Sequence, residues 1–258
     1  MKHIISFSGG LGSFAVACLV KEKFPLDHIE LVFTDTHFED EDLYRFINEA
    51  SDKLALQLVV LSNKDKDTPL TLMEKDNFMY NSRVAKCSYK LKSKVFREYL
   101  KTQQKDCILY FGIGFEESHR VSAITNAYKN HQVMFPLCDE IVDVEEYLKK
   151  YNIKKPRLYD MGFAHNNCGG RCVKGGIGHW VNLLRKDYTR FIEMRDFEKK
   201  FSVKLNIKHD TSKTYSFIKR NGKPYTLEKL EEDYRKQGEQ LEIDFDDIGG
   251  CGCFVDYK

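Results

Sequence analysis

Five prolines in 258 residues leave little room for a long proline-rich or disordered linker. Charge of neither sign predominates. Lysine and arginine number 41 against 39 aspartate and glutamate, a formal net charge of +2, so the chain as a whole is not a polycation. No apolar run reaches the roughly 18–20 residues that a membrane-spanning helix needs. The first residues hold one lysine and a short apolar stretch broken by glycines, which is not the pattern of a secretory leader. A cytoplasmic protein with no membrane partner is therefore expected.

What is present suits a globular enzyme: 42% hydrophobic and 31% charged residues, in a length that fits one large domain or a domain with an appendage. Short apolar runs at 3–7, 29–34, 56–61, 107–112 and 132–137 read as strands. Helical text lies between and after them, at 13–22, 39–54, 69–75, 89–103 and 143–150. Strands alternating with helices predict a doubly wound α/β fold with a mainly parallel sheet. A glycine-, asparagine- and cysteine-rich loop spans 160–178, and helical text resumes to about 200. Residues 185–224 carry twelve lysines and arginines against five acids, whereas 225–247 carry three against nine, so a basic stretch adjoins an acidic one. Between them Asn221-Gly222 sits among strand-like residues and predicts a hairpin. The expected organisation is a domain at 1–185 and a smaller α+β appendage at 186–258.

The loop Ser8-Gly9-Gly10-Leu11-Gly12-Ser13 ends the first strand and begins the first helix. Glycines there let a backbone approach a ligand, and the N–H groups of the helix's first turn point at an anion. The loop has no Gly-Lys-Ser/Thr ending and is not Gly-x-Gly-x-x-Gly, so two common phosphate signatures are excluded. A plain glycine turn without a ligand is the alternative. Asp35, at the carboxyl end of the second strand, is placed to accept from a nucleotide or to hold Mg²⁺; otherwise it caps the helix at 39–54. Arg83, Lys90, Lys92 and Arg120 are candidates to pair with phosphate, although Glu117 and Arg120 also suit an i,i+3 ion pair.

The Ser-Gly-Gly-x-x-Ser pattern resembles the PP-loop of the adenine nucleotide α-hydrolase superfamily, a Rossmann-like (HUP) fold. Four further stretches, in order, are similar to segments of its PAPS reductase-like branch: Phe33-Thr34-Asp35-Thr36-His37-Phe38-Glu39, Cys87-Ser88-Tyr89-Lys90-Leu91-Lys92, Gly112-Ile113-Gly114-Phe115-Glu116-Glu117-Ser118-His119-Arg120, and Cys168-Gly169-Gly170-Arg171-Cys172. The resemblance covers about residues 3–185. It implies ATP with Mg²⁺ as cofactor. It also implies a nucleotide site of Ser6, Ser8, Gly9, Gly10, Gly12, Ser13, Thr34, Asp35, Thr36, Gly112, Glu117 and Arg120, with Asp35, Lys92 and Arg120 in catalytic positions. The pattern departs from the family at two places: Gly12 stands where the family loop usually has aspartate, and Gly114 where it has arginine.

Of eight cysteines, Cys18, Cys107 and Cys138 sit among apolar neighbours and read as small core residues. The spacing of Cys87, Cys168 and Cys172 resembles that of iron–sulfur members of the family. With Cys251 or Cys253 of the terminal Cys-x-Cys they are the candidate ligands of a 4Fe-4S cluster or Zn²⁺; redox thiols and structural cysteines are the alternatives. Three functions stay open. One is an ATP-dependent adenylylating enzyme that supports sulfur transfer or nucleic-acid modification, as in phage and mobile-element relatives, with a sulfur donor protein and nucleic acid met through 185–224 as partners. The others are a sulfonucleotide reductase and a nucleotide-binding module without catalysis.

Overall fold

A computed structural model describes residues 1–104 and 106–238. The elements run β1 (Lys2–Ser6), α1 (Leu11–Lys23), β2 (His28–Thr34), α2 (Glu41–Leu54), β3 (Gln57–Leu61) and α3 (Pro69–Asp76). A π-helical segment (Ser88–Ser93) leads into α4 (Lys94–Leu100), then β4 (Ile108–Phe111), a 3-10 helix (Phe115–Arg120) leading into α5 (Val121–Ala127), β5 (Gln132–Met134), α6 (Pro136–Asp139), α7 (Val144–Tyr151) and α8 (Arg157–Asp160). The chain closes with α9 (Ile177–Lys186), α10 (Tyr188–His209), β6 (Ile218–Arg220), β7 (Lys223–Tyr225) and α11 (Leu227–Gln237). By contacts it divides into two compact units. The first comprises Met1–Lys66 and Ser88–Arg157; the second comprises Asp67–Cys87 and the described residues from Leu158 onward. No helix among the described residues is long and apolar enough to cross a membrane.

The first unit is built on a five-stranded sheet in the order β3-β2-β1-β4-β5, every pair parallel. This is the expected α/β doubly wound fold. Successive side chains of a strand point to opposite faces, and both faces here are apolar. Ile4, Val32, Leu109 and Phe111 pack with Phe96 and Leu100 of α4 and Ile124 of α5. Ile5, Leu31, Phe33 and Tyr110 pack with Phe14, Val16 and Ala17 of α1 and Phe46 and Ile47 of α2. Burying one such large apolar side chain contributes about 1.5–3 kcal/mol, so the central strands are apolar on both faces because both carry helices. The expected fifth strand at 132–137 stops at Met134. Pro136 cannot donate to a ladder and instead opens α6 as a first-turn proline.

The strand order reverses between β1 and β4. The chain leaves β1 toward β2 and leaves β4 toward β5, so the loops that follow these two strands diverge at the carboxyl edge. Ligands of open parallel sheets bind in the crevice at such a reversal.

The second unit holds α9, α10, α11 and the β6–β7 hairpin. Asn221 and Gly222 both have positive φ (50° and 76°), so the hairpin turns where the sequence predicts it. Phe217 stacks on Trp180 (5.7 Å between ring centroids) and on Phe197 (6.5 Å). Glu198 of α10, 2% exposed, accepts from the Phe217 and Leu227 amides, each at 2.7 Å. The hairpin is thereby held at both ends by one carboxylate.

Candidate active site and cysteine turn

The glycine loop leaves β1 and enters α1. Ser6 and Ser13 are buried, and Gly9 takes φ +74°. A Cβ at Gly9 would lie 2.9 Å from Leu43 Cγ and 3.0 Å from Ile47 Cγ2, so α2 packs directly on the loop backbone. Gly10 is the N-cap of α1 and offers no side-chain cap, and the first turn holds no acid. The first N–H groups of a helix have no partner within it and carry the positive end of the helix dipole. Ser13 Oγ donates to Gly10 O (2.9 Å) and stands 3.3 Å from Ser8 Oγ. These features suit an anion.

Gly12 answers to Gly112. A Cβ on Gly112 would fall 2.6 Å from Ser13 N and 2.7 Å from Gly12 C; one on Gly12 would fall 3.1 Å from Gly112 O. The loops after β1 and β4 therefore meet backbone against backbone. Gly114, by contrast, faces open space, and the neighbouring Phe115 is 78% exposed. The arginine this position lacks would have had room.

Asp35 follows β2 and is buried. Its Oδ1 accepts from His37 N (2.8 Å) and the Tyr44 hydroxyl (2.7 Å), and its Oδ2 is 3.2 Å from His37 Nδ1. Asp40, not Asp35, caps α2. Burial and then Asp35 push the Tyr44 hydroxyl well above its ordinary range, so it remains a donor. Thr34 is buried at the end of β2, and Thr36 Oγ1 donates to Glu39 Oε1 (2.9 Å). Lys92 Nζ, on the π-helical segment, is 3.4 Å from the same oxygen, and both side chains are buried. Arg120 is 6% exposed and pairs with Glu117, which is the i,i+3 pair anticipated from spacing. Glu39 and Tyr44 had no assigned role in the sequence reading. Tyr44 stands nine residues from Asp35 and carries no local signal of the contact.

The cysteine turn belongs to the second unit. Cys168, Gly169 and Gly170 have φ of 53°, 57° and 77°, one short left-handed turn in which cysteine is the unusual member. Its carbonyls are all engaged. Cys168 O accepts from Arg171 N (2.9 Å), Gly169 O from Arg190 Nη1 (3.2 Å) and Gly170 O from His179 Nε2 (2.8 Å). Burial pushes the His179 imidazole down to about 4, so it is neutral and donates through Nε2. Burial and the neighbouring Arg190 lower the Arg171 guanidinium. Cys168 is buried, while Cys172 and Cys87 are half-buried. Among the described residues no group of three His, Cys, Asp or Glu side chains is placed to hold a metal ion. Cys251 and Cys253 lie outside the described residues. Cys18 and Cys107 are core residues as expected, and burial pushes the Cys18 thiol up to about 12.

Of the aromatic residues interleaved with the basic stretch, Phe191, Phe201 and Phe217 are buried. Several of its cations are paired: Arg195 with Glu231 (2.6 Å), Lys199 with Glu228 (2.7 Å) and Lys204 with Glu74 (3.3 Å).

Among solved structures, the chain is similar to a phosphoadenylyl-sulfate (PAPS) reductase from Candida auris in a phosphate complex. Identity is 12% over 62% of this chain and 78% of that one, with a TM-score of 0.44. It is also similar to the U34-tRNA thiolase NcsA from Methanococcus maripaludis with its [4Fe-4S] cluster. There identity is 13% over 78% of this chain and 72% of that one, with a TM-score of 0.46. No curated protein matches. The family model described as phosphoadenosine phosphosulfate reductase domain matches residues 2–175. That span takes in the glycine loop, the Asp35 turn, Lys92, the Gly112 loop and the cysteine turn, and by it the chain belongs to the phosphoadenosine phosphosulfate reductase domain family.

Proposed function

We propose that the first unit binds ATP and transfers its adenylyl group to a substrate oxygen, so that the activated carbon can then accept sulfur. The carrying observation is the glycine loop at the N-terminus of α1, pressed on Gly112 at the point where the parallel order reverses. In this reading the loop amides and the Ser8 and Ser13 hydroxyls hold the phosphates. Asp35, oriented by Tyr44 and His37, accepts from the nucleotide or binds its Mg²⁺. Lys92 and Arg120 offset charge that develops as the substrate oxygen attacks the α-phosphorus, the α–β bridging bond breaks and pyrophosphate leaves. The bound ion supplies further charge neutralisation. Position 12, which lacks the usual carboxylate, faces the Gly112 carbonyl.

The family match favours one second reading, reduction of a sulfonucleotide at the same loop. Pyrophosphate release from ATP supports the first reading, sulfite release from a phosphosulfate nucleotide the second. Nucleotide binding with neither product would leave a binding module and refute both. Cys87, Cys168 and Cys172, with Cys251 or Cys253, belong to the proposal as ligands of a 4Fe-4S cluster or Zn²⁺. Metal content of anaerobically purified protein, with each cysteine changed to serine in turn, tests them, and metal unchanged in every variant would remove the assignment. A nucleic-acid substrate met through residues 185–224 and a sulfur donor protein complete the proposal. Salt-dependent oligonucleotide binding that falls on charge reversal in that stretch would support the former.

A further inference from the structure

Helices on a protein surface turn polar side chains outward. The end of α10 departs from this rule. Phe201 and Leu205 are buried, whereas Val203 and Ile207 are 56% and 79% exposed. At 3.6 residues per turn the exposed pair points about 160° away from the buried pair, straight into solvent. A single apolar residue on a surface is ordinary. These two stand at i and i+4 and so form one ridge, and both are β-branched, a type that a solvated helix surface does not favour.

Lysines border the ridge. Lys200 and Lys208 are exposed, and among the described residues neither has an acidic partner. The rise of eight residues sets them about 12 Å apart along the helix. Lys204 makes one pair with Glu74, a surface contact worth little.

The first unit carries a surface of the opposite kind. A groove of about 370 Å³ lies between α1, the link at 140–143 and α7. Leu19, Val142 and Tyr147 give it apolar lining, and Ile141, also on it, is fully exposed. Four carboxylates line it against one ammonium, Lys150, which Glu22 already holds. Asp143 is taken up by the first amides of α7, which it caps. Glu140 and Glu146 remain, both exposed and without a cationic partner among the described residues.

We infer that this groove is an association surface for a second copy of the chain, which lays the Val203–Ile207 ridge of its α10 on Leu19, Ile141 and Val142 and brings Lys200 and Lys208 to Glu140 and Glu146. A helix that enters an apolar groove through i and i+4 anchors is a recurring mode of recognition. Opposite charges at the rim then set register and exclude wrong partners. The two surfaces match in both respects, apolar to apolar and basic to acidic, and every copy carries both. The contact joins separate molecules. It is heterologous, so it is made twice about a two-fold axis or once per subunit around a ring. It uses two of the twelve cations in 185–224. The inference does not rest on the reading of the glycine loop.

The test is sedimentation of the full chain over a range of concentrations at low and high salt. One double variant reverses the groove, Glu140→Lys with Glu146→Lys; another reverses the helix, Lys200→Glu with Lys208→Glu. All four side chains are exposed, so the fold is retained, which circular dichroism checks. The wild type is expected to associate, and more weakly as salt rises. Each double variant alone is expected to associate at least tenfold more weakly, because like charges then face each other. An equimolar mixture of the two is expected to recover association, because the basic groove of one meets the acidic helix of the other. Val203→Ser with Ile207→Ser is expected to weaken association at unchanged net charge. A wild type that stays monomeric at every concentration and salt would overturn the inference. So would an association that neither reversal weakens, or a mixture that recovers nothing.

Discussion

Glu198 makes the stability of the second unit depend on pH. Glu198 is 2% exposed, and burial pushes its carboxyl up to about 7 from the ordinary 4.5, against the two amides that favour the charged form. Between those values the folded chain holds a proton that the unfolded chain has released. Stability therefore falls as pH rises, by about 1.4 kcal/mol per unit, or about 3 kcal/mol from pH 4.5 to 7. The contribution is fully present below 4.5 and fully lost above 7. Glu198→Gln cannot titrate. Its single carbonyl serves only one of the Phe217 and Leu227 amides, which sets a constant penalty of about 1–3 kcal/mol. Trp180 is the chain's one tryptophan and stacks on Phe217, so its fluorescence during urea unfolding reports on this unit. Subtracting variant from wild type at each pH removes every other titration. That difference is expected to shrink by about 3 kcal/mol between pH 4.5 and 7.5. A difference that stays level across this range would show that burial does not hold the proton on Glu198.

Gly112→Ala puts a methyl 2.6 Å from Ser13 N and must displace the first turn of α1; nucleotide affinity by calorimetry is expected to drop tenfold or more, and retention of wild-type affinity would refute the cradle. Lys92 and Glu39 share a buried contact, so Lys92→Met, Glu39→Gln and their double variant are expected to show a coupling of at least about 1 kcal/mol in unfolding free energy. Zero coupling would mean the contact contributes nothing. Phe217→Ala opens a cavity between Trp180 and Phe197 and is expected to cost about 3–5 kcal/mol, with a shifted Trp180 emission maximum. An unmoved emission maximum would place Trp180 outside that stack.

The five parallel strands were legible in the sequence because each is a short, largely apolar run; β1, β2 and β4 are buried on both faces, whereas the edge strands β3 and β5 are only partly covered. The Asn221-Gly222 turn was legible for the opposite reason: two residues suffice to specify it. What escaped prediction depends on partners distant in the chain. The Tyr44 hydroxyl reaches Asp35 only because α2 is set down on the sheet at one particular rotation. Lys92 looks solvated in a run of lysines and becomes buried only once Glu39 is brought to it. The left-handed φ of Cys168 is imposed by Arg171, Arg190 and His179 gripping its turn, and three carbonyl contacts leave no trace in residue type. The basic stretch at 185–224 reads as a charged surface, yet α10 within it also has an apolar side that buries Phe191 and Phe201.

The meeting of Gly12 with Gly112 sets a rule for hybrids. The two residues stand one hundred positions apart, on loops that leave different strands; the Gly12 loop fills the space a side chain on Gly112 would need, and a side chain on Gly12 would press on the Gly112 carbonyl. A carboxylate-bearing loop transplanted from a relative into positions 8–13 would set a Cβ 3.1 Å from the Gly112 carbonyl, a tight contact that the resident β4 loop must ease, whereas the same transplant made together with 112–114 moves both sides of that contact at once. For anyone recombining such domains, these two short segments are a single cassette, inherited or exchanged as one.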